Sequence, residues 1–96
     1  MFIISLNYIE PLEKVDALLE SHVEFLKKQY DKQIFIASGR KVPRTGGVIL
    51  AKVKNRKELN TIIAQDPFYK NGIAEYEVTE FVPSMTLPEY KTLNEA

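Results

Sequence analysis

His22 is the only histidine of the chain, and it stands among apolar residues at helical spacing. Its neighbours at that spacing are Val15, Leu18, Leu19, Val23 and Leu26. An imidazole titrates near neutrality and loses solvation when it is buried, whereas a leucine would fill such a position without that penalty. The position therefore indicates a satisfied hydrogen bond, a ligand site or acid/base chemistry.

Asp66 is the carboxylate that we expect beside His22, because the two helices predicted below cover the same face of one sheet. A carboxylate that accepts from one ring nitrogen fixes the tautomer and raises the basicity of the imidazole, which leaves the other nitrogen free as a general base or acid. Two structural roles remain open. Asp66 could turn the backbone before Pro67, and His22 could be a core histidine bonded to a backbone carbonyl.

Further polar residues could shape a ligand pocket near this pair. Ser38 lacks a Gly-x-Ser-x-Gly elbow, so a turn hydroxyl is favoured over a nucleophile. Arg40, Lys41 and Arg44 could bind an anionic substrate group or form a solvated hairpin loop. Tyr8 could line the same cleft or pack at the sheet edge. We take Tyr8, Ser38 and Arg40 as candidate substrate-binding residues.

Composition excludes several kinds of site. One histidine and no cysteine cannot supply the imidazole or thiolate sets of ordinary metal sites, and the carboxylates lack ligand spacing. Gly46-Gly47 lacks the Lys-Ser/Thr of a phosphate-binding loop and is interpreted as a turn. Equal numbers of basic and acidic residues, 13 each, leave no field that would attract nucleic acid or an anionic membrane. We predict no metal and no cofactor.

The length of 96 residues and the hydrophobic fraction of 45% are typical of one soluble domain. The longest apolar runs are strand-sized, and the first residues lack the positive region and cleavage site of a secretory signal. We expect a cytoplasmic protein with a domain over residues 1–83 and a C-terminal arm over 84–96. Met85, Leu87, Tyr90 and Leu93 are the arm's possible docking residues.

Periodicity predicts four strands and two helices. The strands are expected at 2–9, 33–37, 48–53 and 73–82, and the helices at 12–30 and 55–65. Asn55-x-x-Glu58 resembles a capping box, and Asp66-Pro67 argues that the second helix stops there. Residues 38–45 are expected to form an exposed basic loop.

The order strand, helix, strand, strand, helix, strand predicts a ferredoxin-like plait, an α+β fold with a four-stranded antiparallel sheet and both helices on one face. The first strand is apolar on both sides, with Phe2, Ile4, Leu6 and Tyr8 on one side and Ile3 and Ile9 on the other. Because two helices cover only one face, we expect a homodimer in which two sheets face each other.

The chain resembles the YciI-like (YCII-related) proteins of the dimeric α+β barrel group over about residues 1–82. The resemblance rests on His22-x-x-Phe25-Leu26, Ser38-Gly39, Gly46-Gly47, and Asp66-Pro67-Phe68 with Gly72. It implies that His22 and Asp66 form an active-site pair. Two positions depart from the family pattern. Arg40 stands where the family commonly has proline, and Phe81 stands where it often has tryptophan.

We therefore expect a small cofactor-independent enzyme in which His22, oriented by Asp66, moves a proton in a lyase or isomerase reaction. The substrate class, a small organic acid or a hydroxylated aromatic, is what the resemblance implies. The alternative is a non-catalytic dimeric domain that binds a small ligand. An RNA-binding plait is disfavoured because the third strand lacks the aromatic residues on which bases stack.

Overall fold

A four-stranded antiparallel sheet forms the centre of the computed structural model, which describes residues 1–95. The elements in chain order are β1 (Phe2–Tyr8), α1 (Leu12–Asp31), β2 (Phe35–Arg40), β3 (Gly46–Ala51), α2 (Arg56–Ile63), α3 (Pro67–Lys70) and β4 (Ala74–Glu80). A 3-10 segment, Pro88–Glu95, follows. The strand order is β2-β3-β1-β4. The predicted α+β plait is therefore confirmed, with α3 as an additional element.

The strand register aligns apolar residues of neighbouring strands on the face that the helices cover. Ile4 of β1 lies opposite Ile49 of β3 on one side and opposite Val78 of β4 on the other. Phe2 and Ile4 are completely buried, and the same core contains helical residues from α1, α2 and α3. Burial of one such side chain contributes about 1.5–3 kcal/mol, so this face of the sheet is the main source of stability.

Two predictions about local structure are wrong, and one short helix is added to the predicted elements. Asp66-Pro67 ends α2 as expected but also begins α3, because aspartate caps a helix and proline suits its first position. Residues 38–40 extend strand β2, so the exposed loop is confined to 41–45. Gly46 and Gly47 form the start of β3 and not a turn. A side chain at Gly46 would collide with the backbone carbonyl of Leu6, which explains the glycine.

The C-terminal segment leaves the sheet after β4. Val82, the last residue of the predicted strand 73–82, lies beyond β4 and is exposed. Met85, Leu87 and Tyr90 are also exposed, and Leu93 is half-buried. The side chain of Lys52 donates to the carbonyl of Thr92 at 3.0 Å. Ala96, the last residue of the expected arm, lies outside the described residues.

Helices α1, α2 and α3 contribute their buried residues to the core on the first face of the sheet, and the second face lies opposite them. Ile3 and Leu50 lie opposite each other on this face and are half-buried. Val48 of the same face is 39% exposed. The pairing of two sheets through this face stays a prediction.

Helix α1 ends in a left-handed residue that is not glycine. The amide of Gln33 donates to the carbonyl of Tyr30 and that of Ile34 to the carbonyl of Gln29, both at 2.9 Å, which is the Schellman arrangement. Gln33 has a φ of 60°, whereas the equivalent residue after α3 is Gly72 with a φ of 62°. A side chain at this backbone conformation costs free energy that glycine does not incur.

We expect Gln33→Gly to raise the free energy of unfolding by about 0.5–1 kcal/mol, because relief of the left-handed strain exceeds the added entropy of the unfolded chain. The matched control is Lys32→Gly, since Lys32 has a helical φ of −82° and its replacement should lower stability by a similar amount. Urea denaturation of both variants is the measurement. Stabilisation of neither variant, or of both, would contradict the role given to Gln33.

Candidate active site

Asp66 occupies the N-cap of α3, and its side chain is almost completely buried at 1% exposure. Its Oδ1 accepts the backbone amide of Phe68 at 3.0 Å, and Pro67 fills the first helical position. The Asp-Pro-Phe sequence is thus a helix start in which the aspartate carboxylate satisfies a free amide. This local geometry fixes where the carboxylate points.

His22 of α1 contacts the same carboxylate. Its Nδ1 donates to Asp66 Oδ1 at 2.8 Å, and no backbone carbonyl takes that position. The Phe68 ring stacks on the imidazole with 3.9 Å between centroids and 4° between planes. Because a carboxylate only accepts, the contact places the proton on Nδ1 and the lone pair of the neutral ring on Nε2.

Tyr76 of β4 provides a third donor to Asp66. The hydroxyl donates to Oδ2 at 2.6 Å, so the carboxylate accepts from His22, Phe68 and Tyr76. Burial raises the pKa of Tyr76 well above its ordinary value, and the neighbouring charge and hydrogen bond of Asp66 raise it further. The phenol therefore stays protonated and remains a donor to the carboxylate.

The imidazole forms part of the wall of a cleft of about 490 Å³, whereas Asp66 lies behind it and does not line the cleft. The cleft lies between α1 and the strands β1, β2 and β3, with Phe68 of α3 at one side. Among residues 1–95, Nε2 of His22 has no hydrogen-bond partner. The free nitrogen is therefore the polar atom that His22 can offer to a ligand in the cleft.

Tyr8, Ser38 and Arg40, the three predicted substrate-binding residues, all line this cleft. Tyr8 also packs edge-to-face on Phe68, with 6.0 Å between ring centroids. The Ser38 hydroxyl shares a 2.7 Å hydrogen bond with the hydroxyl of Tyr30. Arg40 is exposed at the end of the edge strand β2. The structure thus brings these three residues to one cavity.

Arg44 also lines the cleft, and it pairs with Asp16 of α1. The hydrogen bond from Arg44 to Asp16 raises the pKa of Arg44, and the charge of Asp16 and the nearby Tyr8 add to this effect. Lys41, the other cation of the predicted loop, instead donates to Asn7 Oδ1 at 2.7 Å and does not line the cleft.

Sequence reasoning missed the roles of Tyr76 and Asp16. Tyr76 alternates with Ala74 and Val78 along β4, and its hydroxyl reaches Asp66. A buried tyrosine usually needs a partner for its hydroxyl, which is the indication that pattern reasoning could have used. Asp16 lies beside the apolar stripe of α1, and nothing in its spacing indicates its pairing with the loop.

Residues 1–94 contain no group of three or more histidine, cysteine, aspartate or glutamate side chains placed to hold a metal ion. Within the same residues, every helix is too short or too polar to cross a bilayer.

Comparison with known proteins identifies one family and one fold. The profile of the YCII-related domain matches residues 1–82. No curated protein matches the sequence. Among solved structures, 5-chloro-2-hydroxyhydroquinone dehydrochlorinase (TftG) from Burkholderia phenoliruptrix AC1100, in complex with 2,5-dihydroxybenzoquinone, is similar with a TM-score of 0.71. The two chains are 17% identical, and the match covers 84% of this chain and 93% of that chain. At this identity the similarity shows the shared fold.

We expect Tyr76→Phe to lower the free energy of unfolding by about 1–3 kcal/mol near neutral pH, because a buried carboxylate loses a donor. The difference in the free energy of unfolding between wild type and Tyr76→Phe should be complete below pH 10.0, the ordinary pKa of tyrosine. It should shrink as the pH rises further, because the unfolded chain releases the phenolic proton first. Denaturant unfolding of both proteins between neutral and alkaline pH measures this difference. An advantage that does not depend on pH would contradict the assigned hydrogen bond.

Proposed function

We propose that this chain, which belongs to the YCII-related domain family, is a small-molecule enzyme in which His22 transfers a proton and Asp66 orients and stabilises the imidazole. The observation that carries the proposal is the placement of the pair. Asp66 is hydrogen-bonded to Nδ1 of His22. Nε2 has no hydrogen-bond partner among the described residues, and His22 lines a cleft. A core histidine sealed by backbone contacts would not leave that nitrogen available.

The proton transfer follows from the tautomer that Asp66 imposes. Nε2 takes a proton from an acidic C–H or O–H of the substrate, and the electron pair stays on the substrate. The imidazolium then bears protons on both nitrogens and is stabilised by the adjacent carboxylate. In an elimination, the electron pair forms a double bond and the leaving group departs with its own bonding pair. In an isomerisation, Nε2 returns the proton to a different substrate atom.

The lining supports a small substrate that combines a ring or short apolar body with oxygen substituents. Leu6, Leu19 and Val23 provide apolar walls, and Tyr8, Ser38 and Arg40 provide polar groups. Binding sites of this kind use a few placed polar groups on a mostly apolar surface. The TftG protein, whose name states that it removes chloride from a hydroxylated hydroquinone, is built on the same fold. Hydroxylated aromatics and small organic acids are therefore the substrates that we propose.

We expect His22→Gln to abolish proton transfer and Asp66→Asn to reduce it by about 10²-fold or more, because the first removes the base and the second removes the group that sets its tautomer. The measurement has two parts. Chloride release is followed from 5-chloro-2-hydroxyhydroquinone, and deuterium exchange at carbon is followed by NMR for a panel of dihydroxylated aromatics and small hydroxy acids.

Two exposed residues of α1 provide matched controls for this test. Ser21→Ala changes the residue next to His22, and Asp31→Asn removes a carboxylate at the end of the helix. Both should retain the wild-type rate, and circular dichroism should show all four variants folded. Turnover that survives in folded His22→Gln would contradict the proposal. Ligand binding without turnover by the wild type would favour a non-catalytic binding domain.

The sheet face opposite α1, α2 and α3 supports the proposal that the protein is a homodimer. This face places Ile3, Val48 and Leu50 side by side on the two central strands. Burial of these side chains against a second copy would remove apolar surface from water, and a two-fold axis would bring identical patches together.

We expect Leu50→Glu to convert the dimer to a monomer, because the charge would have to be buried in the interface. Light scattering coupled to size-exclusion chromatography measures the mass, and circular dichroism checks the fold. Thr61→Glu adds the same charge on the exposed surface of α2 and should leave the mass unchanged. A wild-type protein that is monomeric at all concentrations would contradict this proposal.

A further inference from the structure

We propose that Arg44 is the residue that selects an anionic ligand, and that Asp16 occupies Arg44 until the ligand's anionic group replaces it. The inference rests on the proposed function for the location of the site. It adds the charge of the ligand and the residue that recognises that charge. The sequence indicates that Arg44 could bind an anionic group, and the structure adds Asp16 as the partner that the ligand would replace.

The backbone around Arg44 is fixed on two sides. The carbonyl of Thr45 accepts the amide of Tyr8 at 2.9 Å, which joins the loop to the end of β1. The amide of Lys41 donates to the carbonyl of Gly46 at 2.9 Å and closes the hairpin at its base. The Arg44 side chain then crosses from this loop to Asp16 on α1. Both ends of the ion pair line the cleft that contains His22.

The ion pair is exposed enough to be exchanged. The side chain of Arg44 is 33% exposed and that of Asp16 is 55% exposed. Pairs of this kind contribute little to stability because water screens them and the side chains lose freedom. A carboxylate or phenolate inside the cleft is more shielded from water and offers the same charge, and a guanidinium binds such oxygens through paired N–H groups. Exchange of Asp16 for the ligand therefore favours the bound state.

The spacing along α1 sets the size of the ligand. Asp16 and His22 are six residues apart on one helix, which corresponds to about 9 Å along the axis. Leu19 lies between them and lines the cleft with both. An oxygen held by Arg44 near Asp16 would thus leave room for one six-membered ring over Leu19 before Nε2 of His22 is reached. A small aromatic anion meets both requirements, charge at one end and an acidic proton at the other.

The charges of the lining agree with a single negative charge on the ligand. The charged side chains are Arg40, Arg44 and Asp16, which sum to one positive charge when His22 is neutral. Asp66 does not enter this sum because it lies behind the imidazole. Arg40 belongs to the edge strand and forms no ion pair with the side chains of residues 1–94, whereas Arg44 is already oriented by its contact with Asp16. Arg44 is the better organised of the two cations.

Binding of benzoate and of its neutral analogue benzamide tests this inference. NMR titration is followed at the ring of His22, the only histidine, and at the amides of the cleft. We expect wild-type protein to bind benzoate about tenfold more tightly than benzamide, and Arg44→Gln to lose that difference, because a charged hydrogen-bonded pair is removed. Arg40→Gln should have a smaller effect, and Lys57→Gln, outside the cleft, should have none.

The Asp16→Asn variant tests the exchange of Asp16 for the ligand most directly. Because the competing carboxylate is gone, this variant should bind benzoate about threefold or more tightly than wild type, with benzamide unchanged. Weaker or unchanged benzoate binding by folded Asp16→Asn would overturn the exchange. Equal affinity of wild type for the two probes, or no benzoate binding up to about 10 mM, would overturn the anion selectivity.

The outcome of the benzoate-binding test does not depend on whether the protein catalyses proton transfer. His22→Gln should keep the preference for benzoate over benzamide even where it abolishes proton transfer, because the anion site lies at Arg44. Loss of turnover with intact selectivity would thus leave this inference standing. Intact turnover with no dependence on Arg44 or Asp16 would overturn it and leave the proposed function in place. Thermal unfolding of each variant confirms that the comparison is made between folded proteins.

Discussion

The hydrogen bond from His22 Nδ1 to Asp66 Oδ1 is the contact on which the geometry of the candidate site depends. The oxygen that accepts the hydrogen bond from Nδ1 also caps α3 through the amide of Phe68, and the ring of Phe68 stacks on the imidazole. One carboxylate thus begins a helix, sets a tautomer and places an aromatic ring. All three contacts involve Asp66 or Phe68. A change in one contact would therefore displace the groups that form the others.

Three elements converge on this buried group. His22 comes from α1, Phe68 from α3 and Tyr76 from β4, and each contributes one donor to Asp66. A buried carboxylate is tolerated only when its lone pairs are satisfied, and here the satisfaction requires the packed fold. His22 also lines the cleft, and its Nε2 has no hydrogen-bond partner among the described residues. The hydrogen bonds that stabilise the fold thus involve Nδ1, whereas the proposed function uses Nε2.

Sequence patterns predicted the fold class because alternation and helical periodicity follow directly from burial on one face of the sheet. They also predicted that His22 and Asp66 could meet, since two helices on one face bring the end of each to a common rim. Local sequence patterns that are compatible with two different structures were harder to interpret. Asp66-Pro67 can end one helix and begin another, and Ser38-Gly39 favours turns although an edge strand accommodates it. Side-chain pairs such as Tyr76 with Asp66 or Arg44 with Asp16 depend on tertiary distances that no spacing along the chain encodes.

The most direct test of the central claim is the tautomeric state of His22 by ¹⁵N NMR of the imidazole at neutral to mildly alkaline pH. The measurement is unambiguous because the chain has a single histidine. The structure predicts a protonated Nδ1 coupled to a carboxylate and an unprotonated Nε2 that responds to added ligand. A ring that is protonated on Nε2, or that averages rapidly between both tautomers as an exposed histidine does, would contradict the account.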